Sequence, residues 1–310
     1  MSYKKVKKSF SVILSLVVAL IVAWQFLSDK FPTQNTSSDT ILPAESNGVL
    51  IASFLDVDQG DCEFFKLPDG KTLLIDAGNI GDGDEIVSFL KQNKIAKLDF
   101  VIATHPHADH IGGMSDVIDS FEIGQVFAPK IADADVPTTK TYENFLLSVQ
   151  RKGLKITAAK QGTTLFSGED YKAECFAPCS DNYESLNNYS VTVKLSYGIH
   201  SFLLTGDTER ISEGEMLKNG YNLKSDVLKV AHHGSSTSTS KAFLNAVSPD
   251  FAVISCGEGN SYGHPHAETL KTLKGITLLR TDLDKTIVFS ADGKTKIGLT
   301  YTTNNPSVVK

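Results

Sequence analysis

With 310 residues and 41% hydrophobic side chains, the chain can bury a large core, which excludes an intrinsically disordered protein and fits one large domain or two small ones. A formal net charge of −6 argues against tight non-specific binding to nucleic acid, and four cysteines are too few for a disulfide-stapled scaffold.

The first 30 residues stand apart. Lys4, Lys5, Lys7 and Lys8 precede an almost uninterrupted apolar run from Phe10 to Leu27, with no acidic residue before Asp29. A run of about eighteen such residues is long enough to enter and cross a bilayer. Cleaved signal peptides carry a shorter apolar core, about 7 to 15 residues, that ends in small residues. Here Ala23 follows Ile21, and no Cys lies nearby to accept a lipid. The expectation is a cytoplasmic basic segment at 1–9 and an uncleaved transmembrane signal-anchor at 10–27. The positive-inside rule then sends the rest outside the cell, as a single-pass membrane protein, or as a secreted one if the segment is cleaved. Residues 28–48, rich in Ser, Thr, Asn and Pro, read as a flexible linker. Residues 1–30 hold five Lys and one Asp, which leaves the remainder acidic, with 25 basic against 35 acidic groups.

From Val49 the pattern alternates between strand and helix. Apolar runs at Val49–Val57 and Glu63–Leu67, with the turn Pro68-Asp69-Gly70 before Thr72–Asp76, predict a hairpin. Ile86, Val87, Phe89 and Leu90 recur at helical spacing, Asp99–Ala103 reads as a strand, and Met114–Phe121 and Tyr142–Val149 read as helices. Further strands are expected at Val191–Leu195, Ser201–Leu204, Val227–Val230, Phe251–Ile254 and Ile276–Leu279. Helices are expected near Ser212–Lys218, Lys241–Ala246 and Ala267–Leu273. Together they predict one layered α/β domain over 49–303, with sheets between outer helices. Cys62 and Cys256 fall in strand-like surroundings and read as core residues, while Cys175 and Cys179 are spaced to close a short bridge in an extracellular domain.

The densest chemistry follows the strand at Asp99–Ala103. Thr104-His105-Pro106-His107-Ala108-Asp109-His110 packs three imidazoles and a carboxylate into six positions, which neither core packing nor a solvated loop requires. The glycines of Ile111-Gly112-Gly113 are expected to let the backbone turn tightly beside an ion. A lone His near a strand is usually an ordinary hydrogen-bonded group, and a Gly-Asp after a strand is usually a turn. Recurrence decides between the readings. Asp207 ends the strand Ser201–Leu204, His232 and His233 end Val227–Val230, and His264 and His266 follow Phe251–Ile254. Seven of the eight histidines lie in these clusters, leaving His200 in an expected turn.

These segments resemble the metallo-β-lactamase fold hydrolases: H-x-H-x-D-H, Thr205-Gly206-Asp207, His232-His233-Gly234-Ser235 and Tyr262-Gly263-His264-Pro265-His266. Phe54-Leu55-Asp56-Val57-Asp58-Gln59-Gly60-Asp61 and Leu74-Ile75-Asp76-Ala77-Gly78 make the chain similar to the outer hydrolase domain of the ComEC/Rec2 competence proteins. The resemblance implies an αββα sandwich with two divalent ions at the sheet edges, zinc first and manganese as the alternative. By motif match, the first ion takes His105, His107 and one of His232 and His233, here assigned to His233. The second takes Asp109, His110 and His264, with Asp207 bridging. Two departures stand out: Leu186–Ser190 has no His where many members of the fold carry a first-ion ligand, and Asp58 stands where relatives carry Gly.

The implied chemistry is attack by a metal-bridged hydroxide that Asp109 orients. His232 or His266 would protonate the leaving group or bind substrate, with Asn260 and Tyr262 positioning it. The expected substrate is a phosphodiester, in a nuclease-like, competence-related role. Alternatives are a phosphorylcholine-type esterase acting on cell-wall polymers, a true β-lactamase, and a non-catalytic surface module with a structural metal site.

Overall fold

The computed structural model describes Leu42 and residues 47–301. The basic segment and the apolar run Phe10–Leu27 lie outside the described residues, and no described helix is long and apolar enough to cross a membrane.

Two sheets face each other. The first contains β1 (Leu50–Phe54), β2 (Glu63–Lys66), β3 (Thr72–Ile75), β4 (Lys97–Ile102), β5 (Glu122–Pro129), β6 (Ile156–Ala159), β14 (Ile287–Ala291) and β15 (Gly298–Tyr301), in the order β15-β14-β1-β2-β3-β4-β5-β6. The second contains β7 (Thr163–Ser167), β8 (Tyr171–Ala177), β9 (Thr192–Tyr197), β10 (His200–Leu204), β11 (Val227–Lys229), β12 (Phe251–Ile254) and β13 (Thr277–Arg280), in the order β13-β12-β11-β10-β9-β8-β7. Each sheet switches from antiparallel to parallel pairing part-way across. In the first, β3 through β6 run parallel; in the second, β10 through β13 do. Ligand sites in such sheets form outside the carboxyl ends of the parallel strands. Every histidine cluster named above follows such a strand.

Apolar side chains from both sheets meet in a shared core, where Phe202 of the second sheet packs edge-on against Phe65 and Phe289 of the first at 5.8 and 6.2 Å. Burying each ring contributes roughly 1.5–3 kcal/mol. Helices α1 (Gly83–Gln92), α2 (Ala108–Ile111), α3 (Met114–Ser120) and α4 (Lys140–Arg151) accompany the first sheet, and the apolar residues of α1, α3 and α4 join a core on its outer face. On the second sheet α5 (Arg210–Lys218), α6 (Lys241–Val247) and α7 (Ala267–Thr272) do the same. Their sequences show why they fold locally: α1 buries Ile86, Val87 and Leu90 at helical spacing, and Thr139 and Ser240 cap α4 and α6 by accepting from Tyr142 N and Phe243 N. The architecture is the expected αββα sandwich.

Four details differ from the sequence reading. The folded unit reaches back before Val49, because Leu42 is buried and its N–H donates to Asn93 Oδ1 at 2.8 Å, while Gly48 N–H donates to the Pro68 carbonyl at 3.1 Å. His200 is not in a turn: it opens β10 and is buried. Gly112 and Gly113 have helical backbone rather than a tight turn, and their lack of a side chain admits the neighbouring loop. A Cβ on Gly112 would stand 2.1 Å from the Asn79 carbonyl carbon, and one on Gly113 2.6 Å from the Ala77 carbonyl oxygen.

The fourth concerns sulfur. All four thiols are free, and Cys175 and Cys179, instead of bridging, donate to the Ala177 and Phe176 carbonyls at 3.0 and 3.2 Å. Burial pushes the Cys175 and Cys256 thiols up to about 12 and Cys179 up to about 11. A thiol-specific chromogenic disulfide at pH 8 is therefore expected to label the native chain far more slowly than the unfolded chain, and dithiothreitol is expected to leave Tm unchanged. Rapid native labelling, or a Tm lowered by reductant, would contradict this arrangement.

Candidate metal centre

The loop that follows β4 delivers the first donors. His105 is buried, with Nδ1 against Thr104 Oγ1 at 3.1 Å and Ser190 Oγ at 3.3 Å, and its Nε2 lies 3.0 Å from His107 Nδ1. His107 is the extended residue before α2, and α2 then carries Asp109 and His110 inward. Asp76, at the end of β3, accepts from Thr104 N–H at 2.8 Å and from its hydroxyl at 2.6 Å. The same carboxylate lies 2.7 Å from His110 Nδ1. With its proton on Nδ1, His110 keeps an Nε2 lone pair for the site.

The second sheet supplies the opposing wall. After β10, Gly206 turns through a left-handed φ of +50°, and Asp207 N–H donates to Ser190 Oγ at 3.1 Å. Asp207 is buried at the centre: Oδ1 lies 3.2 Å from His110 Nε2 and 3.7 Å from His233 Nε2, while Oδ2 lies 3.8 Å from His105 Nε2 and 3.7 Å from His232 Nε2. Beyond β11, both His232 and His233 adopt positive φ, 53° and 51°, a conformation that costs energy in residues with a Cβ and tends to be kept where function requires it. It turns the two rings to different sides. His233 Nδ1 lies 3.0 Å from the Ser255 carbonyl and so carries the proton there, leaving Nε2 3.3 Å from Asp109 Oδ2.

Negative charge dominates this interior. Burial holds His105 well below the ordinary imidazole range. It opposes protonation of His110 and His233 too, but Asp207 and Asp76 outweigh it and raise His110 well above that range, and Asp207 and Asp61 lift His233 to about 10. Such a pocket calls for cations, whether protons or metal ions. The donor atoms suit metal. His110 Nε2, His233 Nε2 and Asp207 Oδ1 are all buried without a hydrogen-bond partner, yet they point at one another. Among the described residues, four overlapping groups have donor atoms within 4.8 Å: His105, His110 and Asp207; Asp109, His110 and His233; Asp61, Asp76 and His110; and Asp61, Asp207 and His233. Buried imidazole and carboxylate atoms left unsatisfied around a common point are what a divalent ion would complete.

The grouping of the donor atoms differs from the motif-based assignment. His233, expected beside His105 and His107, stands instead with Asp109 and His110, and His232 is the member of the pair that reaches the Asp207 oxygen facing His105. His264, expected on the second ion, belongs to none of the convergent groups, and neither does His107 or His232. Half-buried, His264 stacks over His233 at 6.1 Å, and burial followed by the neighbouring imidazoles pushes it down to about 4. The backbone around it explains the difference, since the 257–264 loop is folded on Asn260. That amide donates to the Gly257 and His264 carbonyls and accepts from Tyr262 and His264 N–H, so it is consumed by the loop rather than offered to substrate. His266 is likewise engaged at both nitrogens, accepting from Ser236 N–H at 3.0 Å and facing the Tyr262 carbonyl at 3.3 Å, and belongs to none of the convergent groups. Tyr262 is 64% exposed and lies flat on His264 at 5.6 Å.

Several supporting residues had no assigned role in the sequence reading. Asp61 and Asp76 sit behind the imidazoles, Ser190 touches His105 and Asp207, and Asn187 lies 3.4 Å from His232 in the segment that lacks a His. Asp76 was detectable as a carboxylate closing the apolar run Leu73-Leu74-Ile75, and Lys229 as a cation inside Val227–Val230. Asp58, where Gly was expected, holds a φ of +56°, the left-handed conformation that a glycine takes at no cost.

A model of the Metallo-beta-lactamase superfamily matches residues 55–258. Among curated proteins, ComE operon protein 3 of Bacillus subtilis is 32% identical over 254 residues, which is 76% of this chain and 32% of that protein. Competence protein ComA of Neisseria gonorrhoeae is 32% identical over 70% of this chain and 29% of its own length, and Recombination protein 2 of Haemophilus influenzae is 27% identical over 81% and 32%. The chain thus spans about a third of each of these relatives. Among solved structures, the metallo-beta-lactamase fold protein YhfI from Bacillus subtilis aligns with TM-score 0.54 at 14% identity, over 78% of this chain and all of that one. CmlA, a diiron beta-hydroxylase from Streptomyces venezuelae, aligns with TM-score 0.52 at 14% identity, over 77% of this chain and 53% of that one. Since the family match spans the histidine and aspartate clusters of both sheets up to His233, the chain belongs to the Metallo-beta-lactamase superfamily.

Proposed function

We propose that this protein is a membrane-anchored phosphodiesterase that carries two divalent ions, zinc first, and cleaves nucleic acid outside the cell. The observation that carries the reading is the convergence of unsatisfied Nε2 and Oδ1 atoms from both sheets on Asp207. Ions held there would make a water nucleophilic near neutral pH and polarise the scissile phosphoryl group. The chain's own groups supply the rest. Asp76 and Ser255 fix the histidine tautomers, and Asp109, held well below the ordinary carboxylate range despite burial, is an acceptor that orients the attacking water. His232 is half-buried, held between Thr237 Oγ1 at 3.1 Å from Nδ1 and Asn187 Nδ2 at 3.4 Å from Nε2, and its Nε2 lies 3.7 Å from Asp207 Oδ2, which places it beside the donor group to pass a proton to the leaving oxygen.

Nucleic acid is favoured over other phosphodiesters by the exposed face of Tyr262, stacked on His264 beside the donor group, because an aromatic face binds any base. The names of the curated relatives, which concern competence and recombination, agree with it. The apolar run at 10–27 supports the anchor. A second reading draws on the same tyrosine: a quaternary ammonium also seats on an aromatic face, which would suit a phosphorylcholine group of a cell-wall polymer.

The metal-loaded chain is expected to hydrolyse bis(p-nitrophenyl) phosphate and to leave nitrocefin intact. Against single-stranded DNA, Tyr262→Ala is expected to raise KM about tenfold with kcat nearly unchanged, since stacking on one base is worth about 1–3 kcal/mol. Release of choline from wall polymers without any nicking of DNA would transfer the assignment to the second reading. Recovery of the protein in the soluble cell fraction would overturn the anchor.

A further inference from the structure

Lys229 ends β11 with its side chain wholly buried, and its Nζ donates to Asp61 Oδ2 at 2.7 Å and to the Val230 carbonyl at 3.2 Å. The strand belongs to the second sheet and Asp61 to the β1–β2 loop of the first, so the pair ties the two halves together behind the donor atoms. Asp61 is fixed in turn. Its N–H donates to the Asp109 carbonyl at 3.0 Å, and its carbonyl accepts from Gly78 N–H at 2.8 Å. Oδ1 lies 3.3 Å from His233 Nδ1, and Oδ2 lies 3.9 Å from His110 Nδ1.

Stability does not account for such a pair, because a buried ammonium and carboxylate lose more hydration than apolar side chains of the same size would. Charge does. Asp61, Asp76, Asp109 and Asp207 place four carboxylates around the donors, and Lys229 cancels one of them. Burial, reinforced by Asp61, pushes the adjacent Glu63 carboxyl well above the ordinary range, which opposes a further negative charge beside the pair.

We propose that Lys229 tunes the charge of the metal centre: locked on Asp61, the carboxylate that lies behind His110 and His233, it leaves three negative charges rather than four to draw cations. This rests on reading the pocket as a two-ion site.

The test is zinc affinity of the full chain, measured by competition with a chromogenic chelator, for the wild type, Asp61→Asn, Lys229→Met and the double variant. Changing the pocket by one unit charge at this range and burial is expected to move affinity about tenfold or more. Asp61→Asn should bind zinc that much more weakly and Lys229→Met that much more tightly, while the double variant, which restores the net charge, should return to within about threefold of wild type. A purely structural role would weaken binding in both single variants with no recovery in the double, and that result overturns the proposal. Should Lys229→Met fail to fold, the comparison of Asp61→Asn with the double variant decides alone. If the wild type binds no divalent ion, the metallohydrolase reading falls together with this one; if it binds but the order fails, only the role of Lys229 falls.

Discussion

An Asp207→Ala variant is expected to lose about a thousandfold or more in kcat/KM toward bis(p-nitrophenyl) phosphate, the upper end of what one charge-stabilising group contributes. The reason is its position. Asp207 has His110 and His233 on Oδ1 and His105 and His232 on Oδ2, and no other described acid has four imidazoles within 4 Å. Removing it leaves those imidazoles repelling one another once protonated, and removes the group that would hold two cations at a fixed separation. Asp76→Asn makes an informative contrast. That carboxylate touches the far side of His110 and the Thr104 N–H and hydroxyl, so its loss should cost about 10- to 100-fold, as for groups that orient a ligand rather than donate. Metal content measured on the same samples should fall with Asp207→Ala. Full activity and full metal content in Asp207→Ala would remove the basis for the two-ion pocket.

Stripping the ions should also destabilise the fold. The interior holds four carboxylates against one lysine, and without metal the charge opposing those carboxylates comes from Lys229 and from protons drawn to His110 and His233. An ion that binds only the folded state stabilises it by about 4 kcal/mol when its concentration is a thousandfold above Kd. Each kcal/mol shifts Tm by roughly 2–4 °C in domains of comparable size, so exhaustive chelation should lower Tm by about 10 °C, restored by added zinc. A Tm that stays constant while the metal is demonstrably removed would show that the pocket contributes nothing to folding as a cation site.

Much of the architecture is legible in the chain because its signals are local. The hairpin around Pro68-Asp69-Gly70, the amphipathic α1 and the strands that precede each histidine cluster all carry their period in consecutive residues. Three of the strands left unassigned lack that period. β5 is interrupted by Gly124 and ends at Pro129, and β6 and β7 are four and five residues long with mostly exposed side chains. Their strand character comes from neighbours in the sheet rather than from their own sequence.

The site divides in the same way. Which residue types could bind metal, and that Asp109, His110 and Asp207 belong among them, follows from clustered side chains at strand ends. How they are partitioned does not. The consecutive histidines 232 and 233 are equivalent as letters, and only the two left-handed backbone positions send one ring toward Asp109 and the other toward the His105 side. Asn260 and His266 looked available until the loop around them was seen to use every polar atom they offer. Asp61 and Lys229, separated by 168 positions, meet because two sheets close over one core. Sequence records the chemistry that a side chain can perform, whereas its direction, its partner and the charge it feels are set by distant chain segments that only folding brings within reach.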